Sequence, residues 1–190
     1  MVETALAAGV GCVQLREKDV STGELLLLAV GLRELTSRCG AAFVVNGRPD
    51  VVIASEADGV HLGAASVPIE DARGLLGHDR VIGYSAHSIE EAKQAETQGA
   101  DYVFLSPIFM TRKPYRVDPI GLEPLERAVA ALRIPVIALG GVVPDNAGLV
   151  AATGAAGIAV ISAICAAADP GLASRQLLDS FRSGKQGEEE

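Results

Sequence analysis

Four short stretches of this chain repeat one another: Ala8-Gly-Val-Gly-Cys-Val-Gln-Leu15, Ala57-Asp-Gly-Val-His-Leu62, Gln98-Gly-Ala-Asp-Tyr-Val-Phe-Leu105 and Thr153-Gly-Ala-Ala-Gly-Ile-Ala-Val160. In each, a helical pattern stops on small residues and a buried strand follows at once. Successive copies stand roughly two β–α units apart, an even spacing that predicts a (β/α)8 TIM barrel rather than a doubly wound sheet. Helices are predicted at 2–8, 21–39, 49–57, 66–76, 88–98, 122–132, 145–152 and 170–181, and strands at 12–15, 42–45, 60–62, 81–85, 102–105, 135–139 and 158–161. Ser21 with Glu24, and Ser88 with Glu91, read as helix-capping pairs. Only seven strands are found, and the chain begins on a helix. A closed barrel needs one more strand ahead of Val2, so the first β-strand is expected to be lacking from a truncated chain. One domain is expected over 1–183, with a polar, frayed tail at 184–190.

Composition fits that architecture. With 49% hydrophobic residues, 21 glycines and no tryptophan, the chain suits an α/β core of Val, Ile, Leu and Ala and not a disordered segment. A net charge of −8 argues against a nucleic-acid surface. Cys12, Cys39 and Cys165 match no metal spacing, and Cys12 and Cys165 sit in apolar runs that suggest core positions. No signal peptide or long apolar span is found, so a cytoplasmic protein without a membrane partner is expected.

In such a barrel, chemistry gathers where strands end. The polar residues at those points are Gln14, Arg16 and Lys18, then Asn46, His61, Ser85 with His87, and Thr111 with Lys113. Arg and Lys so placed suit an anionic ligand. Gly140-Gly141, followed by the Ile161-Ser162 turn, reads as a cup of main-chain N–H groups for a phosphate. His87, two residues past a strand end, is the candidate acid/base. His61 lies inside its strand and is expected to be structural, and His78 reads as an exposed turn residue.

Many motifs, in one order, resemble a known family. They are Val13-Gln-Leu-Arg-Glu-Lys18, Val45-Asn46, Asp58-Gly-Val-His-Leu-Gly63, Gly83-Tyr-Ser-Ala-His-Ser88, Gly99-Ala-Asp-Tyr-Val103, Pro107-Ile-Phe109, Ile137-Ala-Leu-Gly-Gly141 and Ala159-Val-Ile-Ser-Ala-Ile164. Together they resemble the thiamine-phosphate synthase/TenI superfamily of (β/α)8 barrels. The resemblance implies one of two activities. A synthase joins an aminopyrimidine methyl diphosphate to a thiazole phosphate, with Mg²⁺ on the leaving diphosphate. A TenI-type thiazole tautomerase moves a proton on a carboxythiazole phosphate and needs no metal.

Departures from the synthase pattern direct the choice. That pattern carries Asn-Asp where this chain has Asn46-Gly47, and an aspartate in a Gly-Gln-x-Asp run where this chain reads Gly63-Ala-Ala-Ser66. Both would be magnesium ligands. The synthase's Thr-x-Thr-Lys loop is shortened to Thr111-Arg-Lys113, whereas Asn46-Gly-Arg48 and Ser85-Ala-His87-Ser88 resemble the tautomerase. The expectation is therefore an isomerase of thiamine biosynthesis with no cofactor. Its phosphate would rest on Thr111, Gly140, Gly141, Ile161 and Ser162, with Gln14, Arg16, Lys18, Asn46, Ser85 and Lys113 around a small phosphorylated thiazole. His87 would shuttle the proton. A Mg²⁺-dependent synthase and a non-catalytic thiazole or thiamine phosphate-binding barrel stay open as alternatives, as does a homo-oligomer.

Overall fold

The computed structural model describes residues 1–111 and 117–186. Helices and strands alternate in the order α1 (Val2–Ala7), β1 (Cys12–Leu15), α2 (Thr22–Cys39), β2 (Ala42–Asn46), α3 (Pro49–Ser55), β3 (Gly59–Leu62), α4 (Ile69–Leu76) and β4 (Val81–Ala86). Then come α5 (Ile89–Thr97), β5 (Tyr102–Leu105), α6 (Leu122–Ala131), β6 (Val136–Leu139), α7 (Pro144–Ala151), β7 (Gly157–Ala159), α8 (Ser162–Cys165) and α9 (Pro170–Gln186). The seven strands form one parallel sheet in chain order, β1 to β7. The fold is TIM-like, a curled parallel sheet, but not the closed eight-stranded barrel the repeat suggests. Among the described residues β1 pairs only with β2, and β7 only with β6.

One face of the sheet supplies the core. Val45, Val60, Ile82, Val103 and Leu105 are fully buried against helix residues such as Ala29, Val52, Ala92, Leu125 and Val150. Burial of each Val, Leu or Ile contributes roughly 1.5–3 kcal/mol, which short strands flanked by alanine-rich helices exploit through close approach. The predicted caps form. Ser21 Oγ accepts from the Glu24 N–H while Glu24 accepts from the Ser21 N–H, and Ser88 Oγ accepts from the Glu91 N–H. Satisfying otherwise orphaned N–H groups in this way fixes where α2 and α5 begin.

The internal repeat has a structural meaning at the start of the strands. Asp58, just ahead of β3, accepts the Phe43 N–H of β2 at 2.7 Å and pairs with Arg33 at 2.6 Å. Asp101, just ahead of β5, accepts the Ile82 N–H of β4 at 2.6 Å and pairs with Arg73 at 2.6 Å. Each aspartate thus clamps the end of the preceding strand to a helix. Asp101→Ala is expected to cost about 1–3 kcal/mol, because the Ile82 N–H loses its acceptor. A urea midpoint unchanged from the parent would refute that role.

Three expectations fail for physical reasons. Cys12 and Cys165 are exposed, not core. Cys12 lies on the free edge of the sheet, and Cys165 lies on a one-turn helix. The last strand stops at Ala159 rather than at position 161, because Ile161 takes φ −119° and ψ −77°, turns into α8 and is exposed. The final helix runs beyond Phe181 to Gln186. Among the described residues, no helix is long and apolar enough to cross a membrane.

Candidate functional site

Side chains on the face opposite the core line the inner side of the curled sheet, from Tyr102 at the start of β5 to Asn46 at the end of β2. The register aligns Asn46 with His61, His61 with Gly83, and Gly83 with Tyr102, so these four share one face. Ser85 and Phe104 lie one pleat further along the same face. Gln14 Nε2 donates to Asn46 Oδ1 at 3.2 Å, joining β1 to β2. His61 Nδ1 and the Tyr102 hydroxyl are 3.1 Å apart, and His61 Nε2 and Ser85 Oγ are 2.8 Å apart. The His61 ring lies 4.1 Å from that of Phe104, centre to centre. Burial pulls the His61 pKa from 6.5 down to about 4, so its imidazole is neutral at pH 7. It therefore carries one N–H, and each of its two contacts is complementary to the other. The expectation of a structural His61 agrees with this geometry.

His87 differs in kind. It is exposed, its N–H donates to Glu91 Oε2 at 2.7 Å, and its Nδ1 lies 2.8 Å from the Ser106 carbonyl. A carbonyl can only accept, so Nδ1 carries the hydrogen and Nε2 is left to face a ligand. The motifs did not single out Ser106. Its carbonyl at the end of β5 fixes the histidine, and main-chain acceptors leave no trace in residue type.

β6 and β7 pair with Leu139 opposite Ala159, which sets Gly140-Gly141 beside the Ile161-Ser162 turn. A Cβ on Gly141 (φ +68°) would lie 2.6 Å from the Met110 carbonyl oxygen, and one on Gly140 would lie 2.8 Å from Pro107. These glycines therefore let the 107–110 segment pack against the loop, which two main-chain bonds also hold: Ile108 N–H to Leu139 O and Phe109 N–H to Gly140 O, each 3.0 Å. Asn146, also missed from sequence, secures the loop from the other side. Its Oδ1 accepts the Val143 N–H at 2.8 Å and its Nδ2 donates to the Gly141 carbonyl at 3.0 Å. Thr111 follows Met110 directly. Ser162 opens a helix of only four residues, so its contribution is the free N–H groups of a first turn more than a dipole. Arg16 and Lys18 are exposed on the loop after β1. Lys113 lies outside the described residues.

The positions at which the resemblance implies magnesium ligands adjoin in space. A Cβ on Gly47 would stand 3.5 Å from Ser66 Oγ. Neither residue offers a carboxylate, and Ser66 Oγ already accepts the Gly63 N–H at 3.1 Å. Mg²⁺ is bound through carboxylate oxygen, so the residues at this corner do not fit the ion. Among the described residues no group of three His, Cys, Asp or Glu side chains could hold a metal.

Known proteins with this sequence pattern and fold point one way. Residues 1–164 match the TMP-TENI family model, described as thiamine monophosphate synthase. The thiamine-phosphate synthase of Moorella thermoacetica is 47% identical over 178 residues, covering 93% of this chain and 85% of the relative. That of Chlorobium luteolum is 44% identical over 189 residues, covering 99% and 89%. Among solved structures, thiamine phosphate pyrophosphorylase from Pyrococcus furiosus superposes with a TM-score of 0.90 at 40% identity, covering 96% of this chain and 88% of that one. These relatives overturn the expectation of an isomerase. They carry the name of a transferase, thiamine-phosphate synthase or thiamine phosphate pyrophosphorylase. The chain belongs to the thiamine monophosphate synthase family.

Proposed function

We propose that this chain is a thiamine-phosphate synthase, joining an aminopyrimidine methyl diphosphate to a thiazole phosphate. The observation that carries this reading is identity of 44–47% to proteins of that name along nearly the whole chain. In the reaction, the carbon–oxygen bond to the diphosphate breaks and its electron pair leaves with the diphosphate. The thiazole nitrogen lone pair then forms the new bond to the methylene carbon. No proton need be removed, so the chain's task is to position two anions and stabilise the departing one.

The charge and hydrogen-bonding capacity of the residues support these roles. The thiazole phosphate rests on the N–H groups of Gly140 and Gly141 and of the Ile161-Ser162 turn, with Thr111 at the side. Gln14, Asn46 and Ser85 hydrogen-bond the heterocycles over the concave face. Arg16, Lys18 and Lys113 neutralise the diphosphate. His87 presents Nε2 to the leaving group.

The direct test is incubation of purified protein with both substrates, with product identified by mass spectrometry. Thiamine phosphate is expected, and its absence at all divalent-cation concentrations rejects the reading. Gly141→Ala is expected to raise KM for the thiazole phosphate about tenfold, a loss of roughly 1.4 kcal/mol, while KM for the diphosphate substrate changes little. An equal rise for both substrates would move the thiazole phosphate away from Gly141.

A further inference from the structure

The corner formed by Gly47 and Ser66 keeps the shape of a two-ligand clamp while lacking its ligands. Gly47 sits at φ +68°, with its N–H held by the His61 carbonyl at 2.8 Å. Ser66 is fixed by a matching pair of bonds: its N–H donates to the Gly63 carbonyl at 2.8 Å, and its Oγ accepts the Gly63 N–H at 3.1 Å. Both positions are therefore anchored to the end of β3, and their side-chain directions converge at ordinary contact distance. The left-handed region that Gly47 occupies is one that Asp and Asn also visit, so a carboxylate could be carried there with little strain.

Nearby carboxylates do not replace what is lost: Glu91, which lines the same pocket as Ser66, accepts the His87 N–H at 2.7 Å, and Asp50 follows Gly47 three residues along the chain. Asp50 is held by Arg48 through both oxygens, at 2.9 and 2.6 Å, and Arg48 reaches Thr22 Oγ1 at 3.2 Å. The Arg48 guanidinium holds the Asp50 carboxyl below its ordinary pKa. An acid so engaged gives up two charge-assisted bonds before it can turn to a cation.

We propose that the Gly47–Ser66 corner is a vacated cation site: the free protein holds no divalent ion there, and any magnesium-class ion enters only as the counter-ion already chelated by the diphosphate substrate. The nature of that substrate rests on the synthase reading. The cation affinity of the free protein does not, so the two can fail separately.

The test is a Mn²⁺ titration of the full chain without substrates, reading free Mn²⁺ by its EPR signal. Wild type is expected to show no stoichiometric binding tighter than about 1 mM, and Ser66→Ala to leave the curve unchanged. Gly47→Asp/Ser66→Asp is expected to bind one Mn²⁺ at least tenfold more tightly than wild type. Circular dichroism establishes that the variants fold, and the single variants Gly47→Asp and Ser66→Asp serve if the pair does not. One Mn²⁺ bound by wild type below about 1 mM, and lost in Ser66→Ala, overturns the proposal. So does a folded carboxylate variant with no gain in affinity. If the coupling assay yields no thiamine phosphate while the Mn²⁺ results hold, the synthase reading falls and the vacated site stands.

Discussion

Gly83→Ala is expected to destabilise the protein by about 2–4 kcal/mol, seen as a lower urea midpoint with an unchanged slope. A methyl group at this position would occupy the space of the Tyr102 ring, meeting its Cζ, Cε2 and hydroxyl oxygen. The ring cannot retreat freely, because Phe104 lies 5.5 Å from it and the hydroxyl is 3.1 Å from His61 Nδ1. Moving it breaks that contact and leaves a buried imidazole nitrogen without a partner. Two controls separate the contributions. Tyr102→Phe keeps the ring and should cost only about 1–2 kcal/mol for the lost hydrogen bond. On a Tyr102→Ala background, Gly83→Ala should cost less than about 1 kcal/mol, because the clash is gone. A Gly83→Ala protein within about 0.5 kcal/mol of its parent would show that the ring has room to spare.

Acidification from pH 8 to 5 is expected to remove about 2 kcal/mol of stability through His61 alone, and about 3 kcal/mol by pH 4. Burial lowers the His61 pKa in the folded chain to about 4, against 6.5 when unfolded. Well above pH 6.5 neither state binds the proton and His61 contributes no pH dependence. Below pH 6.5 the unfolded chain takes the proton first, so unfolding is favoured progressively until the folded imidazole also titrates near pH 4. Unfolding free energies at pH 7, 6 and 5 measure the slope before most carboxylates protonate. His61→Asn removes the titration and should flatten this part of the profile. An equally steep profile in that variant would assign the acid sensitivity to other groups.

The alternation of elements was legible because each strand is short, apolar and bounded by Gly or by a capping Ser. It was less legible at the strand tips. Asn46 extends β2 beyond its apolar run, since residues on the concave face need not be hydrophobic, whereas Ala86, buried opposite Leu105 on the core face, lengthens β4 by one residue. Cys12 looked like a core residue because Val13 and Leu15 flank it. Its exposure follows from the free edge of β1, and strand pairing has no local signature. The choice of activity failed for a related reason. The choice of a tautomerase rested chiefly on Gly47 and Ser66, and two positions cannot outweigh 44–47% identity over nearly the whole chain.

By itself the sequence determined the β–α alternation, the helix caps, the family pattern and the residue types at the strand ends, because these depend on neighbours a few positions away. The tertiary structure alone decided that Ser106 orients His87, that Asn146 ties the Gly141 loop, and that Gly47 adjoins Ser66. Each of these joins residues through main-chain atoms or across separate strands, where the contact depends on how the chain curls and not on which side chains it carries.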